Sequence, residues 1–298
     1  MLSETRSFSH LAEQLCISQP ALSKQILSLE QELDVRLFDR STTPLTLTPA
    51  GEYFIQQAKD ILFRENQLVQ SMEGFRNETR GKLTVGISPF RSLYLIPHMV
   101  QMVRSRYPGV QICLHEVGSD LLRKEASEGK YDFAIVNLPV DESVLDVIPL
   151  EPDTLVLVLP KSMLGILNLA HADNLTEISF ADCKDLPFIA VGQTQEMRRL
   201  FDKLCTSAGF SPNIIMEVVG LTTAWAMTCA GIGATLLPLQ FVSSVSWGEG
   251  ICLLAIKESI SLRQPAIVTK RGQYLSEVAK FAITSLSASS VGFLNSQN

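Results

Sequence analysis

No two of the six cysteines in this 298-residue chain stand at the spacing of a metal site or a redox motif. Cys16, Cys113, Cys183, Cys205, Cys229 and Cys252 are scattered, with no CxxC and no neighbouring His doublet. They read as reduced thiols, buried as free cysteine usually is; a redox pair among Cys183, Cys205 and Cys229 is the alternative. Catalytic signatures are equally scarce. GxGxxG after a strand, the P-loop, GxSxG and HExxH are all missing, and His10, His98, His115 and His171 lie far apart. Neither an enzyme nor a resident cofactor or metal is expected. The start, MLSETRSFSH, lacks the cationic stretch and apolar core of a secretory signal, which implies a cytoplasmic protein. Charged side chains interrupt the apolar runs, and the charge-free stretch Leu221 to Phe241 is divided by Gly231, Gly233 and Pro238. It reads as a buried helix followed by a strand, not a membrane span.

What remains is globular material: 46% hydrophobic and 19% charged residues, enough chain for about two domains. The net charge of −6 argues against a general polyanion binder. Residues 1–51 are no exception. Arg6, Lys24, Arg36 and Arg40 face Glu4, Glu13, Glu30, Glu32, Asp34 and Asp39. Any nucleic acid bound here must be held by local geometry.

Within those residues, Phe8–Leu15 predicts a short helix capped by Ser7. Cys16 and Ile17 make a tight connection, and Ser18 caps a second helix with Gln19 and Pro20 in its first turn, where proline's missing amide has no intrahelical partner. Leu22, Ile26, Leu29 and Leu33 recur at helical spacing and share one buried face. Opposite them lie Pro20, Ser23, Lys24, Leu27 and Ser28. Two helices joined by a short turn are the helix-turn-helix plan, which sets the leading side chains of its second helix against base edges in the major groove. LFDRSTTPLTLTPAG then reads as a hairpin-like wing, with Arg40 for a phosphate and Thr42 and Thr43 as neutral donors. Such helix pairs also occur in proteins that bind no DNA.

The segment FSHLAEQLCISQPALSKQILSLEQELDVRLFDRSTTPLTLTPAG resembles the DNA-binding domain of LysR-type transcriptional regulators. SQPALS at the helix start, Leu29-Glu30 in the second helix, Leu37-Phe38 with Arg40, and Leu47-Thr48 with Ala50-Gly51 stand in the family's register. The resemblance implies that Ser18, Gln19, Pro20, Ser23 and Lys24 face the groove and that Arg40 contacts a phosphate. The chain departs from the pattern in three places. Most of a preceding family helix is missing, and Arg6 and Asp34 stand where glycine is usual; aspartate tolerates the left-handed turn at modest cost. Without that helix the face of Leu22, Ile26 and Leu29 would lack a partner. The alternative to a ligand-responsive regulator is therefore a small-molecule sensor or interaction protein whose DNA binding is weakened or lost.

Residues 52–77 form one helical run. Phe54, Ile61, Leu68 and Phe75 repeat every seven residues, as do Ala58, Glu65 and Met72, together making a coiled-coil seam flawed by Glu65. Ile55, Leu62 and Val69 widen the stripe. Packing on its own domain is the alternative reading. In the resembled family this helix is the dimerisation linker, which implies that Phe54, Ala58, Ile61, Leu68, Met72 and Phe75 lie at a homodimer interface; dimer or tetramer is left open. Two half-sites add affinity that one weakly charged module cannot supply.

From Lys82, strands and helices alternate: KLTVGIS, VQICLHEV, YDFAIV and LEPDTLVLVLP, then PFIAVG and IIMEVVG, with PAIVTKRG and a last helix returning. The order predicts largely parallel sheets with right-handed crossovers. The expected fold is an α/β effector domain over 82–298, two-lobed and periplasmic-binding-protein-like, joined by the long linker helix to an N-terminal winged helix-turn-helix. Lobe I takes 82–160 plus 266–298 and lobe II takes 161–265. The D-x-A-I of YDFAIV and the AG-x-G-x-x-x-LP of AGIGATLLP match the LysR-type effector domain. Ligands in such sheets sit at strand carboxyl ends, where helix N-termini offer free amides. The candidates are Ser88, Phe90 and Arg91, Asn137, the run Gly192, Gln193 and Thr194, and Gly220, Thr222 and Thr223. They suit a small polar or carboxylated metabolite. Helix capping competes for each Ser and Thr, and a solvated surface position competes for Arg91.

Overall fold

The computed structural model describes residues 2–5, 7–42, 44–76, 80–173, 175–193, 195–245, 248–258 and 262–292. They fall into two compact units, 1–70 and 71–298. In the first, α1 (Leu2–Thr5), α2 (Phe8–Gln14) and α3 (Gln19–Glu32) precede an antiparallel pair, β1 (Phe38–Asp39) and β2 (Thr46–Leu47). Local chemistry sets the helix starts. Ser7 Oγ accepts the His10 amide at 3.4 Å and Ser18 Oγ accepts the Ala21 amide at 3.3 Å, each satisfying a first-turn donor that the helix leaves orphaned. Cys16 (φ +55°) and Asp34 (φ +52°) take left-handed backbone and turn the chain after α2 and α3. Leu2, Leu11, Ala12, Leu22, Leu37 and Phe38 form the core, with Ile26, Leu29 and Phe54 packed against it. Leu33 departs from the expected buried face: it caps the end of α3 and is 41% exposed, because the turn at Asp34 carries the chain off that face.

The long helix α4 (Pro49–Arg76) starts at Pro49, ahead of the expected residue 52. Thr48 explains the difference. Its Oγ1 accepts the Gly51 amide at 3.0 Å, its carbonyl accepts the Glu52 amide at 2.9 Å, and Pro49 fills the first position, where no amide is needed. Gly51 lies hard against the wing. A Cβ there would stand 2.0 Å from the Leu37 carbonyl oxygen.

The second unit opens with β3 (Arg80–Ile87), α5 (Pro89–Arg106), β4 (Gly109–Glu116), α6 (Ser119–Ser127), β5 (Phe133–Asn137), β6 (Leu145–Pro149) and β7 (Asp153–Pro160). Then come β8 (Thr176–Ile178), β9 (Pro187–Val191), α7 (Glu196–Ser207), β10 (Asn213–Val218), α8 (Leu221–Cys229) and β11 (Thr235–Pro238). The chain ends with α9 (Leu239–Ser244), β12 (Ile251–Ile256), β13 (Leu262–Arg263), β14 (Pro265–Lys270) and α10 (Glu277–Gly292). The first sheet runs β4-β3-β5-β14-β6, with β3 parallel to β4 and β5, and β14 returning antiparallel between β5 and β6. It is mixed where a largely parallel sheet was expected, because β14 arrives from the second lobe without a crossover helix. Helices α5 and α10 cover one face through Leu83, Val85, Met99, Phe133, Ile267 and Ala282. On the other, Leu122 of α6 packs on Tyr131, Ala134 and Val268.

Strand β7 corrects the expected lobe boundary at residue 160. It pairs antiparallel with β11, β12 and β13 at the centre of the second sheet, over a core of Leu155, Leu157, Leu159, Phe180, Phe188 and Leu236. An unbroken apolar run suits the centre of either sheet, so its composition could not choose. Strands β9 and β10 pair in parallel, and Phe188 bridges to Ala234. That approach needs glycine at Gly233, where a Cβ would meet the Pro187 carbonyl at 2.8 Å. Cys183, Cys205 and Cys252 are buried while Cys16 and Cys229 are exposed. Burial pushes the Cys183 and Cys205 thiols up to about 12, which leaves them protonated and poorly suited to a redox pair.

Two measurements test these details. Gly51→Ala should destabilise the first unit by at least about 2 kcal/mol, because backbone has to move; unchanged amide exchange at Leu37 and Phe38 would contradict the close contact. Asp132 Oδ2 accepts the Thr84 amide at 2.7 Å, yet burial raises its pKa against that bond and against Lys82. Folding then holds this proton more tightly than the unfolded chain does. The contribution is fully present below the unfolded pKa of about 4 and is lost as pH rises through the folded value. Asp132→Asn, whose amide oxygen can still accept from Thr84, should gain stability relative to the parent as pH climbs from about 4 to 7. A difference in urea midpoint that stays flat with pH would refute this.

Candidate functional site

Helix α3 presents its leading turn to solvent. Ser18, Gln19, Pro20 and Lys24 are exposed and Ser23 is half-buried, while Leu22 is anchored in the core at 5% exposure. The helix is held from its far end by Glu30, buried at 7%. Glu30 Oε1 accepts the amides of Leu37 (2.8 Å) and Phe38 (3.1 Å), and Oε2 accepts Arg40 Nη2 at 3.1 Å. Arg40 also lies over the Phe8 ring, 5.5 Å from its centroid. The arginine expected to reach a phosphate is thus a clasp between the wing and α3. Thr42 Oγ1 is within 2.8 Å of Thr46 Oγ1, and Thr43 lies outside the described residues.

On α4 the expected seam divides. Phe54 and Ala58 are half-buried, with Phe54 packed on its own core, whereas Ile61, Leu68 and Met72 are more than half exposed. Leu62 and Val69 extend that exposed stripe. The Phe75 side chain lies outside the described residues.

In the second unit a cleft of about 710 Å³ lies where β3, β4, β5 and β10 end and α5, α6, α7 and α8 begin. Ser88, Phe90, Arg91, Asn137, Gly220 and Thr222 line it. Gly192, Gln193 and Thr223 do not, and Thr194 lies outside the described residues. The Gly192 amide is engaged by the Val218 carbonyl at 3.1 Å and its own carbonyl by the Gln195 amide at 3.0 Å, so the turn closes before the cleft. Gln195 and Glu196 reach it instead. Thr223 is exposed on the outer side of α8's first turn.

Arg91 corrects the expectation of a solvated arginine: it is 4% exposed. Its Nη2 donates to Asn137 Oδ1 at 2.7 Å and stands 3.6 Å from Asp153 Oδ2. Burial opposes its charge, but Tyr94, Asp153 and Glu196 outweigh this and raise its pKa. Asn137 Nδ2 in turn donates to Glu196 Oε2 at 3.0 Å. One line of bonds therefore runs from β7 through α5 and β5 to α7, joining the two walls. A second link, Asp120 to Arg199 at 3.3 Å, joins α6 to α7. Burial works against the Asp120 charge, yet Arg199 and Arg123 hold its pKa low. Glu116, which takes a hydrogen bond from Ser92 Oγ, completes the polar lining. Sequence reading missed Glu116, Asp120, Glu196 and Arg199, since charged residues at a strand end or in the first turn of a helix look like ordinary solvated surface.

A DNA-reading helix pair and a two-walled α/β cleft on one chain define a ligand-responsive transcriptional regulator. The profile of the bacterial regulatory helix-turn-helix protein, lysR family, matches residues 1–52, and that of the LysR substrate binding domain matches residues 76–289. The chain belongs to the LysR family of transcriptional regulators. It is 30% identical over 290 residues to the uncharacterized HTH-type transcriptional regulator YcgK of Bacillus subtilis, covering 94% of this chain and 89% of that one. It is 28% identical to the hydrogen peroxide-inducible genes activator of Pectobacterium carotovorum, covering 92% and 88%. Among solved structures, a full-length single-substitution variant of OxyR from Pseudomonas aeruginosa shares the fold at a TM-score of 0.64 and 24% identity, covering 97% of this chain and 91% of that chain. Full-length CbnR in complex with its target DNA does so at 0.58 and 19%, covering 97% and 96%.

Arg91→Met should lower the stability of the second unit by about 3–5 kcal/mol, since it leaves Asp153 buried without this cation. A denaturation midpoint within error of the parent would show that the charge is not buried in solution.

Proposed function

We propose that the leading turn of α3 reads base edges in the major groove and that a small molecule in the cleft modulates the outcome. The observation that carries this is the exposed edge of Ser18, Gln19, Pro20 and Lys24 on a helix otherwise fixed by Leu22 and Glu30. Apart from the Ser18 cap, those side chains have no structural duty. Ser23 joins them from the half-buried flank, and Arg40 contributes by holding the wing, with any phosphate contact made by the part of its guanidinium that Glu30 leaves free. Protomers pair through the exposed stripe of α4 around Ile61, Leu68 and Met72, and the helix connects events in the cleft to the spacing of paired recognition helices. Coupling of about 1–3 kcal/mol is enough for a graded change in promoter occupancy. The working compartment is the cytoplasm, with the DNA.

In the cleft, Ser88, Phe90, Arg91, Asn137, Gly220 and Thr222 form the effector contacts, joined by Gln195 and Glu196. Helices α5, α6, α7 and α8 all begin there, and none has a side-chain cap on its first turn. Their open amides and the positive ends of their dipoles favour a carboxylate on the effector.

Selection from a randomised duplex pool tests the DNA reading. The parent chain should enrich paired half-sites about 10 base pairs or a multiple apart. Ser23→Ala combined with Lys24→Ala should abolish that enrichment while circular dichroism and oligomeric state stay unchanged. A double variant that enriches the same sequence equally well would remove the recognition-helix assignment.

A further inference from the structure

Resting on the reading of the cleft as the effector site, we propose that it takes a zwitterion: an α-amino acid with an apolar side chain. Three features of the cavity point the same way. The first is the convergence of four uncapped helix starts, at Ser88, Gly118, Gln195 and Gly220, all on the cavity wall. Helices α2 and α3 of the first unit, by contrast, are capped by serines. Open amides on several sides suit one carboxylate group.

A carboxylate alone does not account for the second feature. Three acidic side chains, Glu116, Asp120 and Glu196, line the same space as Arg91 and Arg199. Both arginines are already engaged, Arg91 with Asp153 at 3.6 Å and Arg199 with Asp120 at 3.3 Å. Glu116 and Glu196 make no ion pair among the described residues. Among the described residues the Glu116 carboxylate accepts the Ser92 hydroxyl alone, and that of Glu196 accepts the Asn137 amide at 3.0 Å through one oxygen. Asn137 separates Glu196 from Arg91, accepting from one and donating to the other. Two carboxylates with open lone pairs would repel a simple anion, whereas an ammonium group has three N–H donors to give them. A ligand carrying both charges satisfies both poles.

The third feature is apolar. Leu93, Leu121 and Val219 line the cleft at 49%, 46% and 89% exposure, with Phe90, Met197 and Leu221 beside them. Side chains of this size gain by covering hydrocarbon, which a leucine, methionine or phenylalanine side chain provides. The cavity volume is in the range of small-ligand sites.

Calorimetry on the full chain separates the possibilities. Leucine, methionine and phenylalanine are each compared with the amine that lacks the carboxylate and the acid that lacks the ammonium. At least one amino acid should bind ten times more tightly than both of its truncated relatives. Glu196→Gln, which keeps an oxygen for Asn137, and separately Glu116→Gln should each weaken that amino acid at least fivefold and bind the matching acid at least as tightly as the parent does. An acid that binds as tightly as its amino acid, or Gln variants that do not discriminate, would overturn the zwitterion and leave the cleft as an effector site. Failure of every compound to bind would likewise overturn the zwitterion, and only an unchanged operator affinity across a broad metabolite panel would count against the cleft as an effector site.

Discussion

A guanidinium buried to 4% exposure has to be neutralised where it stands, and Arg91 shapes the second unit around that need. Its partners come from different parts of the chain. Asp153 opens the strand that forms the heart of the second sheet, and Asn137 closes β5 of the first and passes the line of bonds on to Glu196 at the start of α7. Each partner is fixed by its own element, so the cation selects one relative placement of the cleft walls from those that apolar packing alone would allow. Hydrophobic burial supplies most of the stability but is indifferent to small slides; a charge in a dry site is not.

The first unit uses the same device in mirror image. There the buried group is an anion, Glu30, which gathers two backbone amides and one guanidinium from the segment that follows α3. The ladder of β1 and β2 is only two residues long and could not hold itself. It is held because a carboxylate on α3 satisfies donors that the wing cannot satisfy internally. Helix α3 and the wing are therefore one piece.

What could be read from residues alone was whatever their immediate neighbours decide. Ser7 and Ser18 announce helix starts because a cap bonds three residues ahead. The left-handed turn at Asp34 and the apolar spacing of Leu22, Ile26 and Leu29 are likewise local. The solvated alternative for Arg91 failed, and the burial of Glu30 went unforeseen, for the opposite reason. Their burial depends on hydrogen-bond partners 7 to 46 residues away, and in isolation each looks like solvated surface. The cleft residues were located to within a turn: Gly192 and Gln193 were chosen, while Gln195 and Glu196 line the wall, an offset set by how the β9–α7 turn closes. Strand β7, expected in lobe I, belongs to the second sheet: composition says how deeply a strand is buried but not beside which neighbours.

The two cross-wall links, Asn137 to Glu196 and Asp120 to Arg199, exist before anything enters the cleft. A guest that displaces these two links exchanges bonds instead of adding them, so only the amides and carboxylate lone pairs left open add polar affinity. The hydrocarbon it covers at Leu93, Leu121 and Val219 adds tightness without choosing between charges. Discrimination and tightness are carried by separate parts of the same wall, and either could drift under selection while the other stayed put.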